Sequence, residues 1–85
     1  MSNHGCVLIV DDDVELCSLL MDYFDEEGFA PTAVNDGNQG LDAVANMCPD
    51  VVILDVMMPK LDGFETLRKL RKTSAAPVIM LTARG

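Results

Sequence analysis

The sequence is short of basic residues and has no long hydrophobic run, and each shortage excludes a class of protein. Six lysine and arginine residues oppose fourteen aspartate and glutamate residues, for a formal net charge of −8. Surfaces that bind nucleic acid or acidic lipid need an excess of basic side chains, so we expect no direct nucleic-acid contact by this segment. No apolar run approaches the roughly 20 residues of a membrane-spanning helix, and no signal peptide is predicted.

Cysteines are also few, and their spacing excludes two further kinds of structure. The three cysteines, Cys6, Cys17 and Cys48, are an odd number, and no two of them form a C-x-x-C pair. A disulfide framework or a zinc site needs paired cysteines at regular spacing. We therefore expect reduced cysteines in the core of a cytoplasmic protein. Disorder is not expected, because 49% of the residues are hydrophobic.

Short apolar runs alternate with helical periods, which is typical of a parallel α/β sheet. Apolar residues at intervals of three and four predict three helices, and four apolar runs predict strands at 6–10, 29–34, 51–54 and 77–81. Pro31 lies within the second run and favours an edge position for that strand. The 85 residues fit one small domain with the order β-α-β-α-β-α-β.

Each predicted helix follows an aspartate that has a glutamate or glutamine three residues later. This is the spacing of a capping box, in which the two side chains bond the free N–H groups of the first turn. The pairs are Asp12 with Glu15, Asp36 with Gln39, and Asp62 with Glu65.

Three carboxylates follow two of the predicted strands. Asp11 and Asp12 come directly after the first strand, and Asp55 comes directly after the third. Ligands of an open parallel sheet bind beyond the carboxyl ends of the strands, so these side chains would share one crevice if the strands are neighbours. Carboxylates about 4 Å apart repel by roughly 4 kcal/mol at an effective dielectric of about 20, and a bound Mg²⁺ would relieve this. Helix capping is the alternative for Asp11–Asp13, whereas Asp55 precedes no helix start.

Three stretches together resemble the receiver domain of two-component response regulators. They occur in the family's order and at its spacing, across essentially the whole chain. Among members of the family, the sequence is most similar to regulators with a winged-helix output domain. The resemblance implies a flavodoxin-like parallel sheet with strand order 2-1-3-4. The stretches are Val10-Asp11-Asp12-Asp13, the motif D-x-x-M-P-x-x-D-G at 55–63, and Pro77-Val78-Ile79-Met80-Leu81-Thr82-Ala83.

The resemblance implies a metal-dependent phosphorylation site. Asp55 matches the aspartate that accepts a phosphoryl group from a sensor histidine kinase, and it is also a metal ligand. Asp12 matches the direct Mg²⁺ ligand, and Asp11 matches a ligand that acts largely through water. The backbone carbonyl of Met57 would complete the protein's share of the coordination. Such a domain is not an enzyme but a regulator that assists its own phosphorylation.

Two further positions match the part of the family that responds to phosphorylation. Thr82 matches the switch hydroxyl, which turns toward the phosphoryl group, and Ala83 matches the small residue that leaves room for that turn. The response would be passed to a transcriptional output domain, which would contact DNA. In the family, the first helix and the loop after the phosphorylated aspartate also meet the kinase, here through Val14, Leu16 and Pro59.

The family pattern continues past residue 85 with a helix, a strand that ends in a lysine, and a final helix. We therefore expect residues 1–85 to be the N-terminal part of a receiver domain, without that segment or any output domain. Neither Lys60 nor Lys72 takes the place of the family lysine. An alternative function follows from this: a non-phosphorylatable fragment that forms a homo-oligomer through its exposed fourth strand.

Other classes of protein fit less well. A phosphatase with an aspartate nucleophile needs a second acid two residues later, where this chain has Met57. A flavin or nucleotide site needs a glycine-rich or hydroxyl-rich loop after the first strand, and three aspartates would repel phosphate there. Met57, Met58 and Met80 would suit a soft metal, but methionine more often fills cores and loops. His4 has no partner ligand in the sequence.

Overall fold

The structure is a computed structural model that describes residues 4–81. Thr82 and Ala83 lie outside the described residues. Strands and helices alternate along the chain in the predicted order. The strands are β1 (Cys6–Val10), β2 (Ala30–Val34), β3 (Val51–Asp55) and β4 (Val78–Leu81), and the helices are α1 (Val14–Glu26), α2 (Gly37–Met47) and α3 (Gly63–Leu70).

The strands form one parallel sheet in the order β2-β1-β3-β4. The predicted fold class and strand order are therefore confirmed. β2, which contains Pro31, is an edge strand as expected, since proline cannot donate to a second neighbour. Val10 at the end of β1 is level with Val34 of β2 and with Leu54 of β3. This register brings the residues that follow β1 and β3 to the same edge of the sheet, at the point where the strand order reverses.

The central strands carry the core on both of their faces, because their side chains alternate between the two sides of the sheet. Leu8 and Val10 of β1 pack toward α2 and α3, together with Leu54 and Leu70. Val7 and Ile9 point to the other side, where they pack with residues of α1 such as Cys17. These strand residues are at most 1% exposed, which explains the uninterrupted apolar run of β1.

The two faces of the sheet are not equally covered. Within residues 4–81, α2 and α3 lie on one face, and α1 is the only helix on the other. Ile79 of the edge strand β4 is 54% exposed. In the described part of the chain, no strand pairs with the outer edge of β4.

Aspartate side chains cap all three helices at their N-termini. Asp36 accepts a hydrogen bond from the N–H of Gln39, and Asp62 accepts one from the N–H of Glu65. This confirms the aspartate half of the two predicted capping boxes, whereas Gln39 bonds the N–H of Asn35 instead of that of Asp36. At α1 the expectation for Asp12 was wrong by one residue, because Asp13 accepts the bond from the N–H of Leu16. The Asp12 side chain therefore does not cap α1, and it lies just beyond the carboxyl end of β1.

Within residues 4–81, none of the three helices has the length and the apolar composition of a membrane span.

Candidate functional site

The three predicted acidic side chains lie together beyond the carboxyl ends of β1 and β3. One carboxylate oxygen from each of Asp11, Asp12 and Asp55 lies within 4.8 Å of those of the other two. Asp11 and Asp55 are buried, at 4% and 7% exposure, whereas Asp12 is exposed. They line a cavity of about 300 Å³, to which Leu16, Met57 and Leu81 also contribute. The site is thus a concentration of negative charge at the switch point of the sheet.

Hydrogen bonds to its backbone and to its side chain hold Asp11 in place. Its N–H donates to the carbonyl oxygen of Val34 at 3.1 Å, which continues the bonding between β1 and β2. Its carboxylate Oδ1 accepts a bond from the N–H of Asp13 at 2.9 Å. Its carbonyl oxygen accepts bonds from Asn35 Nδ2 at 3.0 Å and from the thiol of Cys17 at 3.4 Å. The turn that carries Asp11 and Asp12 is therefore held by β2, by α1 and by its own side chain.

Asp55 is held by the loop that follows it, and its charge is unfavourable where it lies. The N–H of Met57 donates to its Oδ1 at 3.2 Å. Burial raises the pKa of Asp55 above the ordinary value of 3.8, the charges of Asp11 and Asp12 raise it further, and the hydrogen bond from Met57 opposes them only in part. In the absence of a cation, burial and the charges of Asp11 and Asp12 thus oppose the ionisation of Asp55.

This shift predicts how the stability of the cation-free domain depends on pH. The pKa of Asp55 is higher in the folded state than in the unfolded state. At a pH between these two pKa values, the folded state therefore holds a proton that the unfolded state has released. The contribution of Asp55 to the free energy of unfolding therefore decreases as pH rises from about 3.8 through the raised pKa, and stays low at neutral pH. Mg²⁺ should reverse the loss, because a cation favours the ionised form.

The measurement compares melting temperatures in EDTA between pH 4 and pH 8 for the parent chain and Asp55→Asn. The variant is expected to be the more stable at pH 7, and the difference should shrink as pH falls toward 4. Comparing the two chains removes the effect of the other carboxylates, which both share. A difference that is independent of pH, or a less stable variant at pH 7, would contradict the shift.

The donor set fits a hard divalent cation. Carboxylate and carbonyl oxygens are the protein ligands that Mg²⁺ prefers, and it commonly keeps several waters beside one or two carboxylates. The cavity of about 300 Å³ has room for an ion with part of its hydration shell. Met57 lines this cavity, and its backbone is tied to Asp55. A cation here would also neutralise two buried carboxylates, which are otherwise costly.

Sequence reasoning identified the acidic residues but missed two of their supports. Asn35 and Cys17 both donate to the carbonyl oxygen of Asp11, and neither was singled out for this purpose. A signal for Asn35 was available, because it follows β2 directly, as Asp11 follows β1. Polar residues after neighbouring parallel strands meet at one edge of the sheet.

Comparisons with known proteins decide the family. The family described as response regulator receiver domain matches residues 7–85 of the sequence. The chain belongs to the response regulator receiver domain family. This confirms the predicted resemblance.

Among curated relatives of this receiver domain are two named transcriptional regulators. The transcriptional regulatory protein CpxR of Klebsiella pneumoniae is 53% identical over 79 residues, covering 93% of this chain and 34% of that protein. The DNA-binding response regulator MtrA of Mycobacterium leprae is 42% identical over 78 residues, covering 92% of this chain and 35% of that protein. The receiver chain thus spans about a third of the length of these relatives, whose names agree with the predicted transcriptional subfamily.

Solved receiver domains share the fold. The N-terminal domain of a response regulator receiver protein from Methanoculleus marisnigri superposes with a TM-score of 0.90 at 33% identity, covering 95% of this chain and 68% of that one. The BeF3-activated N-terminal receiver domain of RstA from Klebsiella pneumoniae gives a TM-score of 0.88 at 29% identity, covering 94% of this chain and 68% of that one.

Proposed function

We propose that this receiver domain accepts a phosphoryl group on Asp55 in two-component signal transduction, with Mg²⁺ held by Asp11, Asp12 and Asp55 and by the backbone carbonyl of Met57. The observation that carries the proposal is the approach of three carboxylates to within 4.8 Å of one another at the switch point of the sheet. Such a cluster of negative charges is unfavourable without a cation. Asp55 is the last residue of β3, and it lines the cavity that the cluster shares.

The chemistry assigned to Asp55 is nucleophilic attack on phosphorus. A carboxylate oxygen of Asp55 forms the new P–O bond while the bond from phosphorus to the donor breaks, which leaves an acyl phosphate. The donor's leaving group takes up a proton from solvent. Bound Mg²⁺ would supply positive charge that screens the carboxylates and the phosphoryl oxygens. Asp55 is kept in place by the N–H of Met57, and the buried carboxylate of Asp11 would supply a second negative charge to a bound cation.

A sensor histidine kinase is the proposed phosphodonor, and transcription is the proposed output of a longer regulator that contains this domain in the cytoplasm. The names of CpxR and MtrA support the output, because they describe a transcriptional and a DNA-binding protein. Thr82 and Ala83 remain the proposed switch hydroxyl and its small neighbour. Asp55 is modified by phosphorylation and is restored only by hydrolysis, so the domain is not a classical enzyme. The proposed Mg²⁺ site would nevertheless assist the modification of the domain that carries it.

The test of phosphoryl acceptance uses acetyl phosphate, a small donor that needs no kinase. The parent chain and Asp55→Asn are incubated with acetyl phosphate in Mg²⁺ or in EDTA, and their intact masses are measured. We expect a gain of one phosphoryl group only in the parent chain with Mg²⁺. No gain in a chain that circular dichroism shows to be folded, or an equal gain in Asp55→Asn, would contradict the proposal.

Self-association through β4 is a second proposed function. The observation that favours it is the position of β4, which has no strand on its outer side within residues 4–81, and the 54% exposure of Ile79. An open apolar edge strand is a template for pairing with another chain. Sedimentation velocity at rising concentration should show a dimer for the parent chain and a monomer for Ile79→Lys. A parent chain that remains a compact monomer at every concentration would contradict this proposal.

A further inference from the structure

We propose that Asn35 is a positioning residue for the acidic site, acting through the backbone of Asp11. This inference rests on the proposed function of that site as a Mg²⁺ centre. Asn35 follows β2 as Asp11 follows β1, and the pairing of Val10 with Val34 brings the two residues level. The side-chain amide of Asn35 donates from Nδ2 to the carbonyl oxygen of Asp11 at 3.0 Å.

The atom that Asn35 holds decides the direction of the next residue. The carbonyl of Asp11 belongs to the planar peptide group that joins Asp11 to Asp12. A bond to its oxygen therefore restricts the rotation of that plane, and with it the point from which the Asp12 side chain leaves the backbone. Asp12 is the exposed member of the acidic cluster, so less packing is available to fix its direction. The amide of Asn35 supplies a restraint that burial does not.

Asn35 is itself anchored by the start of α2. Its backbone N–H donates to Gln39 Oε1 at 3.0 Å, while the N–H of Gln39 donates to the capping carboxylate of Asp36 at 2.7 Å. The side chain of Asn35 is thus presented from the capped end of a helix. A fixed donor of this kind orients the group that it bonds more precisely than a donor on a mobile loop.

The thiol of Cys17 is the second donor to the same oxygen, from 3.4 Å, and Asn35 Nδ2 lies 3.7 Å from its sulfur. A thiol is a weak hydrogen-bond donor, so the amide carries most of the restraint. The end of β1, helix α1 and the β2–α2 junction therefore converge on one carbonyl oxygen. Loss of groups that orient metal ligands typically weakens metal affinity by roughly 10- to 100-fold.

The experiment titrates Mg²⁺ and, separately, Ca²⁺ into the 85-residue chain by isothermal calorimetry. The variants are Asn35→Ala, which removes the donor, and Asn35→Ser, which keeps a shorter one. Asn38→Ala is the matched control, because Asn38 is an exposed asparagine in the first turn of α2, the helix that Asn35 precedes. Melting temperatures in EDTA monitor the fold of every variant.

We expect Asn35→Ala to weaken Mg²⁺ binding by about tenfold, Asn35→Ser to recover part of the loss, and Asn38→Ala to match the parent chain. Mg²⁺ demands nearly ideal octahedral geometry, whereas Ca²⁺ accepts flexible coordination. Asn35→Ala should therefore lose less affinity for Ca²⁺ than for Mg²⁺, so the ratio of Mg²⁺ affinity to Ca²⁺ affinity should fall. A merely structural role for Asn35 would not change this preference.

The outcomes separate the inference from the function on which it rests. A parent chain that binds no Mg²⁺ would overturn both. A parent chain that binds Mg²⁺, with Asn35→Ala indistinguishable from Asn38→Ala, would overturn the role of Asn35 alone. Equal losses of Mg²⁺ and Ca²⁺ affinity in Asn35→Ala would also overturn it, because they would indicate general damage to the site.

Discussion

Replacement of Gly63 with alanine is expected to destabilise the domain by roughly 3 kcal/mol, at the upper end of the usual cost of overpacking. A β-carbon at this position would lie 2.7 Å from the Cα of Val56 and 3.0 Å from the carbonyl carbon of Asp55. Both are backbone atoms, which cannot rotate away as the end of a flexible side chain can. Because native domains are stable by only about 5–15 kcal/mol, such a loss would leave a small domain marginal.

The same substitution should disturb the acidic site. Gly63 is the first residue of α3, and its N–H donates to the carbonyl oxygen of Val56 at 2.9 Å. The helix start is therefore packed directly against the backbone that leaves Asp55. A β-carbon at Gly63 would push these segments apart and move the Asp55 carboxylate from the other two, so Mg²⁺ affinity should fall in whatever fraction remains folded.

Gly40→Ala is the matched control for Gly63→Ala. A β-carbon at Gly40 would lie 3.0 and 3.1 Å from the methyl carbons of Val10 and 3.6 Å from its Cβ, and alanine gains roughly 1 kcal/mol over glycine inside a helix. These effects oppose each other, so a change near zero is expected. Urea unfolding followed by circular dichroism gives both values. A Gly63→Ala variant as stable as the parent chain would show that the loop yields more easily than its backbone contacts imply.

The second large effect is expected for Asp12→Asn, and its sign should depend on the cation. In EDTA the variant should be more stable than the parent chain, because one charge has left a cluster of three carboxylates within 4.8 Å. In Mg²⁺ it should be the less stable, because a ligand charge has been lost. A unit charge about 4 Å from a divalent ion contributes at least roughly 2 kcal/mol even in water, which corresponds to about a thirtyfold loss of affinity.

Asp13→Asn is the matched control for Asp12→Asn. It removes the same charge from the neighbouring residue, and asparagine caps a helix as well as aspartate does, so α1 should be unaffected. Calorimetric titration and melting temperatures, each with and without Mg²⁺, should show a clearly smaller change for Asp13→Asn. Equal losses of Mg²⁺ affinity in the two variants would mean that only the overall negative potential matters, and not the position of Asp12.

Much of the fold could be predicted because local and long-range signals agree. The apolar runs of β1 and β3 are buried on both faces, and the aspartate before α2 caps it as its spacing indicates. Pro31 correctly predicted that β2 is an edge strand, because proline has no backbone N–H to donate to a strand on its outer side. The acidic site followed from a general property of parallel sheets, in which residues after neighbouring strands meet at one edge.

The remaining features depend on information that local sequence does not carry. Three successive aspartates offer three overlapping capping signals, and the residue at which α1 begins selects Asp13 over Asp12. The role of Asn35 depends on the register between β1 and β2, which spacing along the chain does not specify. The raised pKa of Asp55 likewise depends on its burial and on the approach of Asp11 and Asp12.

The most direct test of the central claim is to find which residue carries the phosphoryl group. The chain is treated with acetyl phosphate and Mg²⁺, the acyl phosphate is reduced with borohydride, and peptides are sequenced by mass spectrometry. Reduction converts a phosphorylated aspartate to homoserine and leaves a free aspartate unchanged. We predict homoserine at position 55, with aspartate retained at Asp11 and Asp12 and no conversion in EDTA. Homoserine at position 11 or 12, or at no position in a folded chain, would contradict the assignment of Asp55 as the phosphoryl acceptor.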